Sequence, residues 1–479
     1  MNTGSSGYTK KTSHVIKFAV MSIIGIFLFM VLLPDGAGSF NIPLGFAINW
    51  LGTTLNSISA GEFGLVFPIA AVFITVSFVM TLFAHIVKPS FIMDNEKLKG
   101  LFICHPIYFV SKAVAFVVVW MVFFRIGPDW LVGDWLGGWM MMELIAGGGS
   151  GSNLITIFIV LGLAIPLLTD FGLMEFLGVL IRRVVRFLFT LPGRSSIDLM
   201  GSWFSSSAAS VIITRDQHEK GYYTGREAAA ICVNFTFVSL PFTFVIADFV
   251  GLTAHFWLFY LVICITVIIL AVFMPRIWPL RGISDEYLPE VGKQIEEEFP
   301  EPVSGSTVTG VKISLISQAA RLAGFKASQA TPASVLKSGL SNWLNIFMDL
   351  IPVILAWGTI ALILVDQTPV FDWISWPFGQ YMRLLGVEGA MEYAPATIVG
   401  FIDMFIPAIL LSGEGTPINT RFILGALSIV QIIYLAETGI LILKSKIPLN
   451  IGHLVILFLM RTVLALPIIV LLTRILFNP

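Results

Sequence analysis

Predominantly apolar runs about 20 residues long recur along this chain, and they constrain its fold more than any other feature. A helix needs about 20 such residues to cross a bilayer. Runs of that kind fall near 15–33, 65–87, 102–124, 153–169, 227–247, 252–274, 345–365, 421–443 and 450–473. Composition points the same way, because 57% of the 479 residues are hydrophobic and only 12% are charged. A soluble domain carries roughly 25% charge, and half of that leaves too few groups to solvate a globular surface. The expectation is an all-α polytopic membrane protein. The run beginning near Val15 lacks a small-residue cleavage site and reads as a retained span, not a signal peptide.

Two further segments are long enough to cross once but are interrupted. "RSSIDLMGSWFSSSAASVIIT" (194–214) holds seven serines and Asp198, and "APATIVGFIDMFIPAILLSGEGT" (394–416) holds Asp403 and Pro407. Cytoplasmic loops are enriched in Lys and Arg. With an internal N-terminus and both segments as re-entrant hairpins, 22 of the 28 basic residues lie inside. Four lie outside (Arg125, Arg383, Arg421 and Arg474), while Lys112 and Arg461 fall within spans. Full crossings would move the 275–340 loop and its seven basic residues outside. The sequence therefore predicts about nine spans plus two oppositely oriented re-entrant hairpins. Turned backbone at membrane depth survives only against protein or a water-filled cavity, so two hairpins imply a central polar site.

The order of elements repeats. After the 153–169 span comes an amphipathic stretch with Arg182, Arg183 and Arg186, then a hairpin and two spans. After the 345–365 span comes a stretch with Trp373 and Trp376, suited to the outer interface, then again a hairpin and two spans. An inverted repeat of this kind is a signature of secondary transporters. The expected organisation is an N-terminal three-span region (1–150), a first repeat (151–274), a cytoplasmic loop (275–340) and a second repeat (341–479). Within the loop, 283–310 is acidic and then rich in Pro, Ser and Gly, and reads as solvated. The following stretch, with Lys312, Arg321 and Lys326, is amphipathic and suited to the inner membrane surface.

The runs "LPGRSSIDLMGSWFSSSAASVIITRDQHEKGYYTGREAAAICVNFTFVSLP" and "GFIDMFIPAILLSGEGTPINTRFILGALSIVQIIYLAETGILI" resemble the Gate, or nucleoside-recognition, domain of bacterial YjiH-type membrane proteins. The resemblance covers about 150–245 and 335–475. By architecture that family is similar to concentrative nucleoside transporters, which bind nucleoside between hairpin tips and two partly unwound helices. The resemblance thus implies sites at Ser205–Ser207, around Asn234–Pro241, at Asp403–Pro407 and at Glu437–Gly439. The Gly-Gln-Thr-Glu and Asn-Glu-Phe signatures of those transporters are absent here. Gate domains also occur in ferrous-iron permeases joined to a GTPase, but no G-x-x-x-x-G-K-[ST] motif occurs in this chain.

The residues themselves point to the same places. Glu437 and Thr438 sit inside the apolar run "IIYLAETGILIL", and an intramembrane acid is a functional candidate by default. Gly439 permits unwinding there. Arg461, on the next span, lies roughly 16 Å from the inner face against roughly 10 Å for Glu437; their long side chains could meet, since buried charges usually pair. Ser205, Ser206 and Ser207 would offer hydroxyls and helix-end N–H groups to a polar or anionic solute, although small residues also serve plain helix packing. Asn234, Ser239 and Pro241 mark a break whose freed carbonyls could hold Na⁺, or an ordinary proline kink. The expected substrate-binding set is therefore Ser205, Ser206, Ser207, Asn234, Asp403, Glu437 and Thr438. The expected ion-coupling set is Asn234, Ser239 and Glu437. Asp403 is a weaker candidate, as is Asp349, which lies close enough to an inner membrane edge to be solvated.

Several classes are disfavoured. Cys104, Cys232 and Cys264 lie far apart in apolar segments, and the six histidines show no H-x-x-x-H spacing, so no metal site or disulfide is expected. "GGGSGS" (147–152) precedes a span rather than following a strand, which argues against a dinucleotide site. The serine cluster lacks a G-x-S-x-G setting, so an enzyme is not expected. A net charge of −1 gives no hint of nucleic acid. The resulting expectation is a multi-pass carrier in a bacterial inner membrane, with a cytoplasmic N-terminus and no cofactor beyond a coupling Na⁺ or H⁺. Its partners are membrane lipid and a small polar metabolite, nucleoside-like by resemblance. A homo-oligomer stays open, and a passive channel is the alternative.

Overall fold

The computed structural model describes residues 12–31, 33–34, 40–58, 64–133, 137–146, 154–204, 207–236, 238–294, 315–413 and 415–477. Among these, seven helices are long and apolar enough to cross a membrane: Thr12–Met30, Val66–Ile86, Pro106–Phe124, Thr253–Gly282, Pro332–Gln367, Ile418–Leu443 and Ile451–Leu476. Leu154–Thr169 and Leu173–Phe189, bent by 58° at their junction, make an eighth if taken as one span. The two further runs read from the sequence are treated differently. The 153–169 run forms a helix of 16 residues. The 227–247 run splits into Gly225–Asn234 and Leu240–Phe249, ten residues each. A short antiparallel pairing of Leu33–Pro34 with Phe40–Asn41 is the sheet among the described residues.

The repeated order of elements is visible along the chain. In 154–273 an apolar helix is followed by an amphipathic one, a pair of shorter helices, a broken helix and a span. The same order returns in 351–476. Local chemistry explains the breaks. The first broken helix opens with a capping box, in which the Thr224 hydroxyl accepts from Glu227 N–H and the Glu227 carboxylate accepts from Thr224 N–H. After Asn234 the backbone leaves helical geometry, and the next helix restarts at Leu240 with Pro241 in its first turn, where a missing N–H costs nothing.

The chain divides into two compact units. One comprises Met1–Met30, Ile165–Val335 and Thr416–Pro479. In it, Leu173–Phe189 packs on Ser195–Phe204 so closely that a Cβ at Gly178 would stand 3.1 Å from Ile197 Cα. The Leu315–Gln329 helix, expected on the membrane surface, gives its small face (Ala319, Ala323, Gly324, Ala327) to Thr12–Met30 and Leu173–Phe189. Lys17 Nζ donates to Ala330 O nearby.

The other unit comprises Val31–Ala164 and Leu336–Gly415. Its centre is the long Pro332–Gln367 helix, which widens to a π turn at Ile346–Leu350 immediately before Pro352. Proline removes the N–H that the carbonyl four residues back would receive, and here the Ser77 hydroxyl donates to that Met348 carbonyl instead. Lys112, wholly buried, places Nζ 2.6 Å from Asp349 Oδ1 on the same turn. It also donates to Leu101 O at 2.9 Å and Thr81 Oγ1 at 3.3 Å. Asp349 is therefore ion-paired rather than simply solvated. The Val370–Leu384 helix leaves Trp373 and Trp376 exposed, as interfacial residues are. The 394–416 segment holds two short helices, Ala396–Val399 and Phe405–Leu411.

Candidate functional site

The Ile418–Val430 helix stops abruptly, and the chain runs through 431–434 before a π turn at Leu435–Gly439. Ile432 sits at φ 63°, a region a β-branched residue seldom enters and one that costs on the order of 1–3 kcal/mol. Such backbone persists only if its surroundings hold it. Three side chains do so. The Tyr434 hydroxyl lies 2.9 and 3.0 Å from the carbonyls of Ser428 and Ile429. Thr438 Oγ1 accepts from Tyr434 N–H at 3.1 Å and lies 3.2 Å from the carbonyls of Ile432 and Tyr434. The Gln431 amide donates to Thr462 Oγ1 at 2.8 Å. The Tyr434 and Thr438 hydroxyls reach carbonyls that the interrupted helix leaves without partners, and Gln431 ties the break to the neighbouring helix. The break thus lies ahead of Glu437. Gly439, expected to permit it, has ordinary helical angles, and a Cβ there would stand 3.2 Å from Tyr434 O.

Arg461 completes the cap. Its guanidinium is 0% exposed and faces both helix breaks of this unit. Nε and Nη2 donate to Val430 O at 3.1 and 2.9 Å, while Nη1 donates to Val233 O at 3.0 Å and Asn234 Oδ1 at 2.8 Å. The C-terminal ends of two half-helices carry partial negative charge, and one cation serves both. The expected Glu437–Arg461 pair is not formed. Unwinding exposes carbonyls that compete for the guanidinium, and Arg461 takes those instead.

Glu437 meets a different partner. Its Oε1 accepts from Ser207 Oγ at 2.7 Å and from Ala208 N–H at 3.3 Å. Both donors open the Ser207–Glu219 helix, whose N-terminal N–H groups favour an anion. The carboxylate is half-buried. The N-terminus of the Ser207–Glu219 helix and a broken helix, 230 residues apart in sequence, are therefore joined through one acid.

The remaining expected residues separate. Ser205 and Ser206 lie outside the described residues. The Asn234 amide is engaged on both sides, its oxygen by Arg461 and its nitrogen donating to Ala230 O at 3.0 Å. Thr438 spends its hydroxyl on the break. Ser239 is buried, and its Oγ has no partner among the described residues. Asp403 belongs to the other unit, where it accepts from Phe405 N–H at 2.9 Å. The structure thus brings Ser207 together with Glu437, and Asn234 with Arg461. Sequence reading missed Tyr434, Gln431 and the Lys112–Asp349 pair. The last was detectable as a lysine inside an apolar run.

The family profile described as Gate, nucleoside recognition, matches residues 152–253. An uncharacterized protein of Alkalihalophilus pseudofirmus is 40% identical over 470 residues, covering 98% of this chain and 96% of that protein. This chain is a Gate-domain protein of the same family as that relative. The Gate match contains the Ser207–Glu219 helix and the first helix break, while Glu437 and Arg461 lie beyond it. Among solved structures, CNTnw in an inward-facing substrate-bound state is similar at 12% identity and a TM-score of 0.40, over 96% of the Gate-domain protein and 99% of CNTnw. A doubly substituted CNTnw in an outward-facing state is similar at 12% identity and a TM-score of 0.39, over 90% and 97%. Likeness at that level bears no weight on mechanism.

Proposed function

We propose that this Gate-domain protein is a secondary transporter of a small polar metabolite, nucleoside-like in chemistry, that works by alternating access and draws on a Na⁺ or H⁺ gradient. The observation that carries the reading is Glu437. It is a half-buried acid inside an apolar helix, held by a hydroxyl and a helix N-terminus rather than by a cation. An intramembrane acid at a junction of interrupted helices is suited to contacting a substrate or carrying a coupling proton. The Gate match supports a transport role, and the lack of a P-loop motif favours an ion gradient over nucleotide hydrolysis. The relative in Alkalihalophilus pseudofirmus supports a bacterial membrane, and the distribution of Lys and Arg supports an internal N-terminus. The test is a thermal-shift screen of the purified protein against nucleosides and other polar metabolites, followed by counterflow in proteoliposomes. A ligand at 100 times its Kd adds about 2.7 kcal/mol, and saturable counterflow of that ligand is expected. Unsaturable conductance would instead mark a channel. No stabilisation by any solute, together with no counterflow, would overturn the reading.

A further inference from the structure

The Ser207–Glu219 helix buries an unusual set of side chains. They are Ser207, Ser210, Val211, Thr214, Gln217 and His218, of which five are polar. The spacing of three and four residues puts them on one face. Close helix packing accounts for small residues such as serine but not for a glutamine and an imidazole. Ser210 Oγ, Thr214 Oγ1, Gln217 Oε1 and His218 Nε2 have no hydrogen-bond partner among the described residues, although these residues are 0%, 0%, 6% and 1% exposed. Each buried polar group left so is unfavourable, and four on one face ask for a role. The two ends of this face differ in a useful way. At one end Ser207 Oγ holds Glu437. At the other, His218 Nδ1 lies 2.9 Å from Tyr223 O. A carbonyl only accepts, so Nδ1 carries a hydrogen and Nε2 is the nitrogen left to take a proton.

We infer that this buried polar face is a proton path between Glu437 and the 220–224 loop, with His218 at the loop end and Thr214, Ser210 and Ser207 as hydroxyl relays. The inference rests on the reading of Glu437 as the working acid and names its route of protonation. Eleven residues at about 1.5 Å each make the path roughly 16 Å long. Neighbouring members have Cβ atoms about 5–6 Å apart, a gap that one water can bridge. Hydroxyls both donate and accept, which a relay requires. A water from the 220–224 loop side gives a proton to His218 Nε2, and the ring returns to neutral by giving the Nε2 hydrogen to the first water or hydroxyl of the path, its Nδ1 hydrogen staying hydrogen-bonded to Tyr223 O. Each hydroxyl or water then gives one hydrogen and receives one, and the last hydrogen ends on the Glu437 carboxylate as a neutral acid. No electrons change centre.

Other titratable groups reach this helix from its neighbours. The first hairpin arm brings Asp198, which accepts from the Tyr223 hydroxyl. The Gly225–Asn234 helix brings Cys232 beside Thr214, and the π turn brings Glu437 itself. Arg215, Asp216 and Glu219 pair with one another on the same helix, outside its buried set.

The test needs no substrate. Full-length protein in liposomes is followed by infrared spectroscopy after an external pH jump, reading the carboxylic-acid band that Glu437→Gln removes. Ser210→Ala combined with Thr214→Val should slow the response of that band by about tenfold, the rate equivalent of one lost hydrogen bond, with the endpoint unchanged. His218→Gln should slow it as well, and Thr214→Ser should respond at the wild-type rate. Melting temperature is recorded for each variant, and Ser210→Ala alone replaces the double variant if that one fails to fold. An unchanged rate in these variants, or no band that Glu437→Gln removes, would overturn the path. Counterflow tests the transport reading separately, so either can fail without the other.

Discussion

Glu437→Gln separates two ways in which a membrane helix can hold an acid. If Glu437 were the counter-ion of Arg461, neutralising it would strand a buried cation, at about 3–5 kcal/mol. The structure gives a different sum. Glu437 accepts two hydrogen bonds, from Ser207 and Ala208, and the amide keeps an acceptor oxygen in the same place. A bond to a charged group is worth about 1.5–3 kcal/mol and a neutral one about 0.5–1.5. The loss is therefore roughly 1 kcal/mol per bond, or about 2 in all, and less if the acid is already protonated. Arg461→Met should cost more. It leaves three buried acceptors, Val430 O, Val233 O and Asn234 Oδ1, at about 1–3 kcal/mol each, partly offset because no cation is then buried. Equilibrium unfolding in mixed micelles on both single variants and the double variant gives the coupling directly. Sites with separate partners add to within about 0.5 kcal/mol. A coupling of 3 kcal/mol or more would refute the assignment of Arg461 to the helix ends.

Further outcomes follow from single contacts. Ser207→Ala removes the 2.7 Å bond to Glu437 and should lower stability by about 1.5–3 kcal/mol, read as a melting shift; an unchanged melt would return Ser207 to plain packing. Tyr434→Phe leaves the Ser428 and Ile429 carbonyls without the phenol and should lower stability by about 1–3 kcal/mol, read as a melting shift. Asp349→Asn strands the buried Lys112 and should cost about 3–5 kcal/mol, while Lys112→Met with Asp349→Leu should recover most of it in the same melt. Outside the membrane, Lys446 bonds Glu290 at 2.7 Å and holds its carboxyl below the usual range. That contact is present above about pH 4 and is lost as pH falls through the lowered value. Limited proteolysis of the 284–294 segment should accelerate only in acid, and a pH-independent rate would count against the contact.

What the sequence made legible was whatever one segment decides alone. Apolar length marks a span without knowledge of its neighbours, so seven helices of spanning length were already apparent. Pro241 and the acid at position 437 likewise announced trouble in otherwise regular helices. The partner of Arg461 was not legible. Matching two charges by depth is sound when the backbone between them is regular, but here unwinding releases carbonyls, and a carbonyl has no letter of its own in the sequence. Ile432 shows the same limit, because nothing in its side chain advertises a positive φ. Thr438 and Asn234 were noticed as polar and were given to a solute, while the structure gives both to the broken backbone. Their hydroxyl and amide are the nearest available substitutes for missing helix bonds.

The guanidinium at position 461 also has a consequence for biogenesis. It reaches back 228 residues to Val233 O. Ribosomes add roughly 5–20 residues per second, so roughly 10–45 seconds separate the synthesis of the first helix break from that of its cap. During that interval the carbonyls lack the guanidinium, and in lipid each unsatisfied group would cost several kcal/mol. The nascent 225–249 segment must therefore stay near water, or stay under a chaperoning insertase, until the Ile451–Leu476 helix arrives. A chain stalled before residue 451 should leave Cys232 open to thiol labelling, and the completed chain, with that thiol 1% exposed, should protect it. A helix made late in synthesis thus permits one made much earlier to be broken.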